Sequence, residues 1–474
     1  MRTSPTTAAS PCFQLWPKTQ VLESGPHALF FSPRNHSWVL VNKTARAILS
    51  ELTEPLTLEE LSGRVAQHIG VGAESVAGEV DEFVRQQVAN GIVAVDGKAP
   101  ETDWAARLEP PELQKIYLEL TPKCNLRCTY CYNAEIRSES LAGARTRRSR
   151  WLTQSGLLRL LGELNGLGAG QIVLSGGEPL LHPGLFELAR RGRELGMNIS
   201  LLTNGTLVTR EVAAQLVDCV DTVEISLDSP REETNDLTRG AGSYSKIVRG
   251  IEHLVAAGHR AVVLKPVLSR ANLSHIEELP RFAARLGCRV NQPTLCLPFR
   301  TPGGGIDDSS TPELDEAMTA LDRFEAEMRY CFGTAASAPP PVGPALSCGM
   351  GKRVLAIDYE GNVYPCQALH DEEMICGNVK HQPIADIYHR SSLIRRLSRF
   401  SVFDVERCRG CTWGLLCGGG CRALAYGLYG RLDACNEHFC SYLLESSQRR
   451  LLSQVYHRAG AVCQQQLTNE GGSS

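Results

Sequence analysis

Nowhere in this chain do apolar residues run for the roughly 18 positions that a membrane-crossing helix needs. Its opening residues, Met1 to Ser10, contain no apolar segment, so no secretory signal is expected and a cytoplasmic location is. An excess of one charge is also missing. Forty-nine Lys and Arg stand against 52 Asp and Glu, a net charge of −3, which removes any bulk attraction to nucleic acid or to an anionic membrane. Neither is expected as a partner. With 43% hydrophobic and 21% charged residues the composition is that of a folded globular protein, and 474 residues are enough for two to four domains.

Cysteine is the residue in good supply, with 18 copies. In a short secreted chain such a count would mean disulfides. Here most of them fall at C-x2-C and C-x3-C spacings in a long chain, which favours metal ligation in a reducing compartment. Cys12, Cys219, Cys288, Cys296, Cys331 and Cys463 lie outside these groups and read as small buried hydrophobes or incidental thiols.

The most specific group is Cys124, Cys128 and Cys131, spaced C-x3-C-x2-C, with Tyr130 directly before the last thiol. Three thiolates can hold a [4Fe–4S] cube and leave one iron open to a further ligand; a zinc knuckle is the alternative. The run Ile116 to Leu120 before it reads as a strand stopped by Thr121-Pro122. A second apolar strand ends in Gly176-Gly177-Glu178-Pro179, where glycines permit close backbone approach to a ligand and Glu178 offers an acceptor for an ammonium group. These two segments resemble the signature motifs of the radical S-adenosylmethionine (SAM) enzymes. The resemblance implies SAM on the open iron and its amino group near Gly176, Gly177 and Glu178. It further implies that Asn204, Ser226, Asp228 and Arg239, at or just beyond strand ends, lie near the ribose and carboxylate; turn and cap chemistry is the alternative for these polar residues.

From 115 to about 300, strands Ile116–Leu120, Gln171–Leu174, Asn198–Leu202, Thr222–Leu227, Ala261–Val267 and Arg289–Thr294 alternate with amphipathic helices, which predicts parallel βα units. The expected fold class is α/β: a partial (β/α)6 radical SAM barrel over 113–300, with a smaller domain on either side.

The smaller domain in front spans 20–95. Two strands, Ala28–Phe31 and Ser37–Asn42, flank a Pro33-Arg34-Asn35 turn. A short helix over Thr44–Leu52 follows, then a capping box at Thr57 and Glu60 opening a helix with Leu58, Leu61, Val65 and Ile69 on one face. A third helix carries Val76, Val80, Phe83, Val84 and Val88 and stops at Asn90-Gly91; Ile92–Val95 closes as a strand. This is a winged-helix pattern. Its third helix bears Glu74, Glu79, Asp81 and Glu82 against Arg85, a charge that would repel DNA phosphates. The unit resembles the PqqD-like fold, or RiPP recognition element, which implies capture of a precursor-peptide leader by strand addition.

Behind a Pro-rich segment at 337–344 comes a third region, 345–450. Cys348, Gly361 and Cys366 precede Cys408-x2-Cys411-x5-Cys417-x3-Cys421, with Cys435 and Cys440 beyond. The array resembles the SPASM domain, which implies two auxiliary iron–sulfur clusters; a zinc ribbon is the rival. Carried over, Cys348, Cys366 and Cys421 belong to one cluster and Cys408, Cys411, Cys417 and Cys440 to the other. Cys376 and Cys435 are candidates for a fourth ligand of the first, and an open iron is equally compatible. In sulfatase maturases of this kind an acid after the second cysteine acts as a base. Here Gln367 stands there, and an amide cannot serve.

The resemblance therefore points to a radical SAM enzyme that modifies a ribosomally made precursor peptide, by a thioether, carbon–carbon or other crosslink, with flavodoxin or ferredoxin as electron donor. A maturase of an enzyme subunit, a zinc-binding winged-helix DNA regulator and an inactive peptide-carrying scaffold are the other readings. A basic run, Arg137 to Arg150, reads as a solvated loop.

Overall fold

The structure, a computed structural model, describes residues 10–24, 27–33, 35–98, 112–131, 151–300, 306–336, 344–435, 439–449 and 451–452. The Arg137–Arg150 run, most of the linker before 112 and most of the Pro-rich segment lie outside them. Among the described residues no helix is long and apolar enough to cross a membrane.

The first unit contains strands β1 (Phe13–Leu15), β2 (Gln20–Ser24), β3 (His27–Ser32) and β4 (Ser37–Val41), helices α1 (Lys43–Glu51), α2 (Leu58–Ile69) and α3 (Ala73–Ala89), and strand β5 (Val93–Val95). Asn42 caps α1 by accepting from Ala45 N at 2.9 Å, and the Thr57–Glu60 capping box is formed as expected. Two things differ from the sequence expectation. The wing has three strands, β2-β3-β4, and β5 pairs with β1 rather than with the wing, so the unit starts at Phe13 and not near residue 20. β1 has only three residues and no alternation long enough to announce it.

The central sheet has strands β6 (Lys115–Glu119), β7 (Gln171–Ser175), β8 (Asn198–Thr203), β9 (Thr222–Ile225), β10 (Val262–Leu264), β11 (Val267–Leu268), β12 (Arg289–Val290) and β13 (Thr294–Leu295). The order β12-β10-β9-β8-β7-β6 is sequential and parallel, as the alternating pattern predicts. The fifth and sixth strands are each broken in two, with β11 pairing β13 in a separate ladder. Helices α4 (Gln154–Gly166), α5 (Leu185–Glu194), α6 (Arg210–Cys219), α7 (Glu232–Arg239), α8 (Ser243–Ala256) and α9 (Glu278–Leu286) complete the βα units. Ile116, Leu118, Ile172, Leu174, Ile199, Leu201, Val223 and Ile225 turn to the helices and are buried with Leu157, Leu188, Leu216 and Ile251. Each such side chain contributes about 1.5–3 kcal/mol by leaving water. Because strand residues alternate in direction, Tyr117, Glu119, Val173, Ser175, Ser200, Leu202 and Glu224 line the opposite, concave face.

A small pair, β14 (Phe299–Arg300) and β15 (Ile306–Asp307), and a long helix α10 (Leu314–Ala336), interrupted at Gly333, follow. The last region does not stand apart. Its first strand β16 (Val354–Ile357) lies parallel beside β6 and extends the central sheet through β17 (Asn362–Tyr364) and β18 (Gly377–Asn378) to nine strands. The turn between β16 and β17 explains the glycine in the cysteine array. Gly361 sits at φ +88°, where a side chain is strained, and Asp358 accepts from the amides of Glu360 and Asn362 at 2.9 Å each to close the turn.

The first unit packs on this last region. β3 buries both faces. Ala28 and Phe30 pack with the unit's own core, whereas Leu29 and Phe31 join Trp413, Leu416 and Leu451 on the other side. Phe31 stacks on Trp413 with ring centroids 4.9 Å apart and planes 5° from parallel.

Candidate functional site

The loop after β6 carries Cys124, Cys128 and Cys131 at the carboxyl end of the sheet. Cys131 N donates to Cys128 O at 3.3 Å, and Thr129 N ties the loop to Thr238 O at 2.9 Å. The thiols are neighbours: Cys131 and Cys124 both bear electrostatically on Cys128, whose own thiol burial pushes up while Arg239 partly offsets it.

The glycines of the second motif serve the cysteine loop directly. A Cβ on Gly176 would lie 2.5 Å from Thr121 O, and one on Gly177 2.3 Å from Lys123 O. Their absence lets Gly177 N and Glu178 N donate to those two carbonyls, at 2.8 and 2.7 Å. The sequence reading expected the close approach to be to a ligand; here it is to backbone. Glu178 is fully enclosed. Its carboxylate accepts from Thr203 Oγ1 at 2.7 Å, Asn204 N at 2.8 Å and Leu180 N at 3.1 Å. Burial raises its pKa while these donors pull it back. The carboxylate thus ties two strand ends together.

Asn204 reaches the cysteine loop. Its Nδ2 donates to Asn125 Oδ1 at 2.8 Å and lies 3.9 Å from Cys124 Sγ, and its Oδ1 accepts from Thr206 N and Oγ1. Ser226 stands half-buried at the end of β9, held by Ser226 N to Thr203 O at 3.0 Å. Asp228 is a buried hub. It pairs with Arg239 through 2.7 and 2.8 Å contacts, accepts from Tyr130 Oη, Thr238 Oγ1 and Val267 N, and is 1% exposed. Burial opposes the charge on Arg239, but Asp228 outweighs it and holds the guanidinium firmly protonated. Arg239 also lies over the Tyr130 ring at 5.8 Å. The structure therefore brings Tyr130, Asp228 and Arg239 together behind Cys128. Asn125, Thr206 and Thr238 were missed by sequence reasoning. Asn125, adjacent to the first cysteine and polar in an otherwise ligand-bearing loop, carried the one readable signal.

The other thiols fall into two groups. Cys348 and Cys421 both bear on Cys366, whose thiol burial pushes up to about 11. Cys435, Cys417 and Cys411 bear on Cys408, pushed by burial to about 12, and Cys440 contacts Cys435. A small cavity opens among Cys408, Cys417, Cys421, Cys435 and Cys440. Buried Arg422 shapes it by donating to Leu432 O at 2.7 Å and Ala434 O at 2.9 Å, which fixes the chain entering Cys435. Cys376 is set apart: its thiol lies 3.6 Å from Met374 O and packs in the main core, so it is not placed as a fourth ligand to the first group. Cys435 sits with the second group. Among the described residues no three His, Cys, Asp or Glu side chains close to single-ion geometry; what the structure provides is three groups of neighbouring thiols.

The first group lies near the concave face. Tyr117, on that face, packs on the same apolar cluster as Cys366 and Cys421, and burial pushes its pKa up to about 12.

A partial parallel barrel with a three-thiol loop at its carboxyl end, joined to a cysteine-rich extension, defines a radical SAM protein with auxiliary cluster sites. Sequence profiles agree. The Radical SAM superfamily matches residues 118–283, an iron–sulfur cluster-binding (SPASM) domain 348–412, and the coenzyme PQQ synthesis protein D (PqqD) family 28–93. "Mycofactocin maturase MftC" of Mycobacterium tuberculosis is 31% identical over 321 residues, 65% of this chain and 78% of that protein. "AdoMet-dependent heme synthase" of Methanosarcina barkeri is 28% identical over 354 residues, covering 69% and 96%. Among solved structures, Streptococcus suis SuiB bound to precursor peptide SuiA superposes with TM-score 0.53 at 12% identity, over 90% of this chain and 99% of that one. Native anSMEcpe with bound AdoMet gives TM-score 0.53 at 19% identity, over 74% and 99%; at these identities the likeness is one of fold. The chain belongs to the radical SAM/SPASM enzyme family that includes the mycofactocin maturases. As such it is an enzyme that uses a [4Fe–4S] cluster with SAM, and auxiliary iron–sulfur clusters in its SPASM domain.

Proposed function

We propose that the enzyme modifies a ribosomally synthesised precursor peptide. The single observation that carries this is the seating of a PqqD-like unit directly on the SPASM region, through Phe31 and Trp413, in one chain with the three-thiol barrel. The heme-synthase relative favours a non-peptide substrate, but a peptide-recognition wing serves no purpose there. β2 and β4 are the outer strands of the wing and supply edges on which an extended leader can add.

Cys124, Cys128 and Cys131 would hold the cluster, which with SAM supplies a 5′-deoxyadenosyl radical able to take hydrogen from an unactivated carbon. The chain's own residues build and position that site. Gly176, Gly177 and Glu178 fix the cysteine loop against the sheet; Asn204 and Asn125 set the approach to Cys124; Ser226 offers a hydroxyl at the cofactor's edge. Asp228, Arg239 and Tyr130 form its polar back wall and keep water from it. Cys348, Cys366 and Cys421 would hold one auxiliary cluster, and Cys408, Cys411, Cys417 and Cys440 or Cys435 the other. Flavodoxin or ferredoxin supplies electrons, in the cytoplasm.

The test is direct. Reconstituted enzyme, SAM, a reductant and a short peptide encoded beside this gene should yield deoxyadenosine and a peptide of altered mass. Deoxyadenosine without any change in an encoded peptide would overturn the reading.

A further inference from the structure

Surface arginines of this protein commonly sit against an acid. Arg191 meets Glu194 at 3.1 Å, Arg270 meets Glu313 at 3.0 Å and Arg431 meets Asp433 at 2.9 Å. One patch of the SPASM region departs from this. Arg395 and Arg396 lie in the last turn of a short helix, α11 (Ser392–Ser398), Arg399 stands at its end, and all three are exposed. Among the described residues none of the three side chains has an ion pair or hydrogen bond. Together they line a shallow, open hollow with half-buried Phe400 and Asp404. The Asp404 carboxylate is engaged by Ser401, accepting from its N at 2.7 Å and its Oγ at 2.9 Å. A helix end favours a cation, but Arg395 and Arg399 stand at i and i+4, where like charges repel. An anion from outside relieves that repulsion.

The hollow is tied to the seat of the wing. Phe400 packs with Leu415, and the next residue, Leu416, packs with Leu29 and Phe31 of β3. The wing unit itself is a poor host for carboxylates: α3 carries Glu74, Glu79, Asp81 and Glu82, with Arg85 its one cation. Guanidinium groups suit the complementary task, since each can take a carboxylate through two parallel hydrogen bonds. A hollow this open does not enclose a small molecule, so the matching ligand is a stretch of chain.

We propose that Arg395, Arg396 and Arg399 bind an acidic segment of the precursor peptide. The inference rests on the peptide-maturase reading above and adds to it a second anchor. The wing takes extended backbone, and the arginine hollow takes a cluster of Asp and Glu side chains from another part of the same peptide.

The experiment titrates the full reconstituted chain into the fluorescently labelled peptide encoded beside this gene and reads affinity by anisotropy. Three triple variants are compared with the parent. In one, Arg395, Arg396 and Arg399 become Gln; in the second they become Lys. In the third, Arg159, Arg191 and Arg249 on the outer helices of the barrel become Gln, an equal loss of charge elsewhere. Iron content and urea midpoint verify folding. An exposed ion pair is worth up to about fivefold in affinity, so the first triple should bind at least about tenfold more weakly at low salt, and the gap should narrow near about 0.5 M salt. The Lys triple should keep part of the affinity and the outer-helix triple all of it. A peptide with its acidic cluster changed to Asn and Gln should bind the parent as weakly, and the first triple no more weakly still. Unchanged affinity in the first triple overturns the proposal, as do an equal loss in the outer-helix triple, additive losses in the paired comparison, or an encoded peptide that is modified yet has no acidic cluster. An acidic protein or a nucleic acid that needs these arginines while the peptide does not overturns it too. If the first triple loses iron, the three single variants decide by the same comparison. If the parent chain modifies no encoded peptide, the maturase reading itself has failed.

Discussion

Asp228 shows how one buried carboxylate can organise a cofactor wall. It holds Arg239, Tyr130, Thr238 and the Val267 amide at once. Removing its charge strands a buried guanidinium, and breaking a buried pair in this way costs about 3–5 kcal/mol. Asp228→Asn should therefore lower urea stability by that order and weaken SAM binding, measured by equilibrium dialysis of the anaerobic enzyme. Unchanged affinity would place the hub outside the cofactor wall. Gly177 makes a sharper case because the obstacle is backbone. Gly177→Ala sets a methyl 2.3 Å from Lys123 O, where no side-chain rotation relieves it. The cysteine loop must shift, and deoxyadenosine formation should fall at least about tenfold, as misplacement near 1 Å costs up to about a hundredfold. Wild-type turnover in that variant would mean the loop is not held by this contact.

At the level of elements, the face of β3 that carries Leu29 and Phe31 joins the recognition wing to the SPASM region. Phe31 is fully buried on that face, while Phe30 beside it serves the wing's own core. Phe31→Ala should cost about 3–5 kcal/mol and release the wing without unfolding it. Proteolysis between residues 98 and 112 should then quicken, and the excised unit should self-associate through its exposed apolar face. His36 adds a pH term to the same junction. Burial lowers its pKa to about 4, and its ring stands edge-on to Phe31 at 5.4 Å. The unfolded chain takes up a proton near the ordinary value of 6.5 and the folded one does not, so stability is lost as pH falls from about 6.5 towards 4. His36→Asn, which keeps the left-handed backbone at φ 56°, should lose less over that range. The fluorescence of Trp38 and Trp413 during urea unfolding is the readout; equal slopes would remove His36 from the account.

These elements also show what can be read from sequence and what cannot. The βα alternation, the capping box at Thr57 and Glu60 and the cysteine spacings carry local physics, and each produced the expected element. β1 and β2 were missed because three to five residues hold too little period, and the docking of β3 because two-sided burial in a strand looks the same whether the second face meets its own domain or another. In the site, spacing does not announce which backbone and side-chain groups meet each polar residue. Glu178 and Asp228 point into the protein because neighbouring strand ends supply better partners than an open face, and only the fold brings Thr203, Asn204 and Arg239 within reach.

For the molecule as a whole, the nine-stranded sheet runs without a break from the barrel strands into β16, β17 and β18 of the SPASM region. The chemistry of the two regions should still separate. Replacing Cys124, Cys128 and Cys131 by Ala should remove about four irons and abolish SAM cleavage. Replacing Cys408, Cys411 or Cys417 should spare SAM cleavage under a strong reductant and stop release of modified peptide. Cys435 and Cys440 test the second auxiliary group more finely. Five thiols gather where one cube needs four. Arg422 holds the chain ahead of Cys435 close to Cys408, and Cys440 contacts Cys435. With two thiols available for one position, either can replace the other. Cys435→Ala and Cys440→Ala should each keep most of the iron of that centre, and the double variant should lose about four irons together with peptide product. Iron analysis of the three variants is enough to decide. Full loss in one single variant would identify that cysteine as the sole fourth ligand and give the other thiol to the Cys348, Cys366 and Cys421 group.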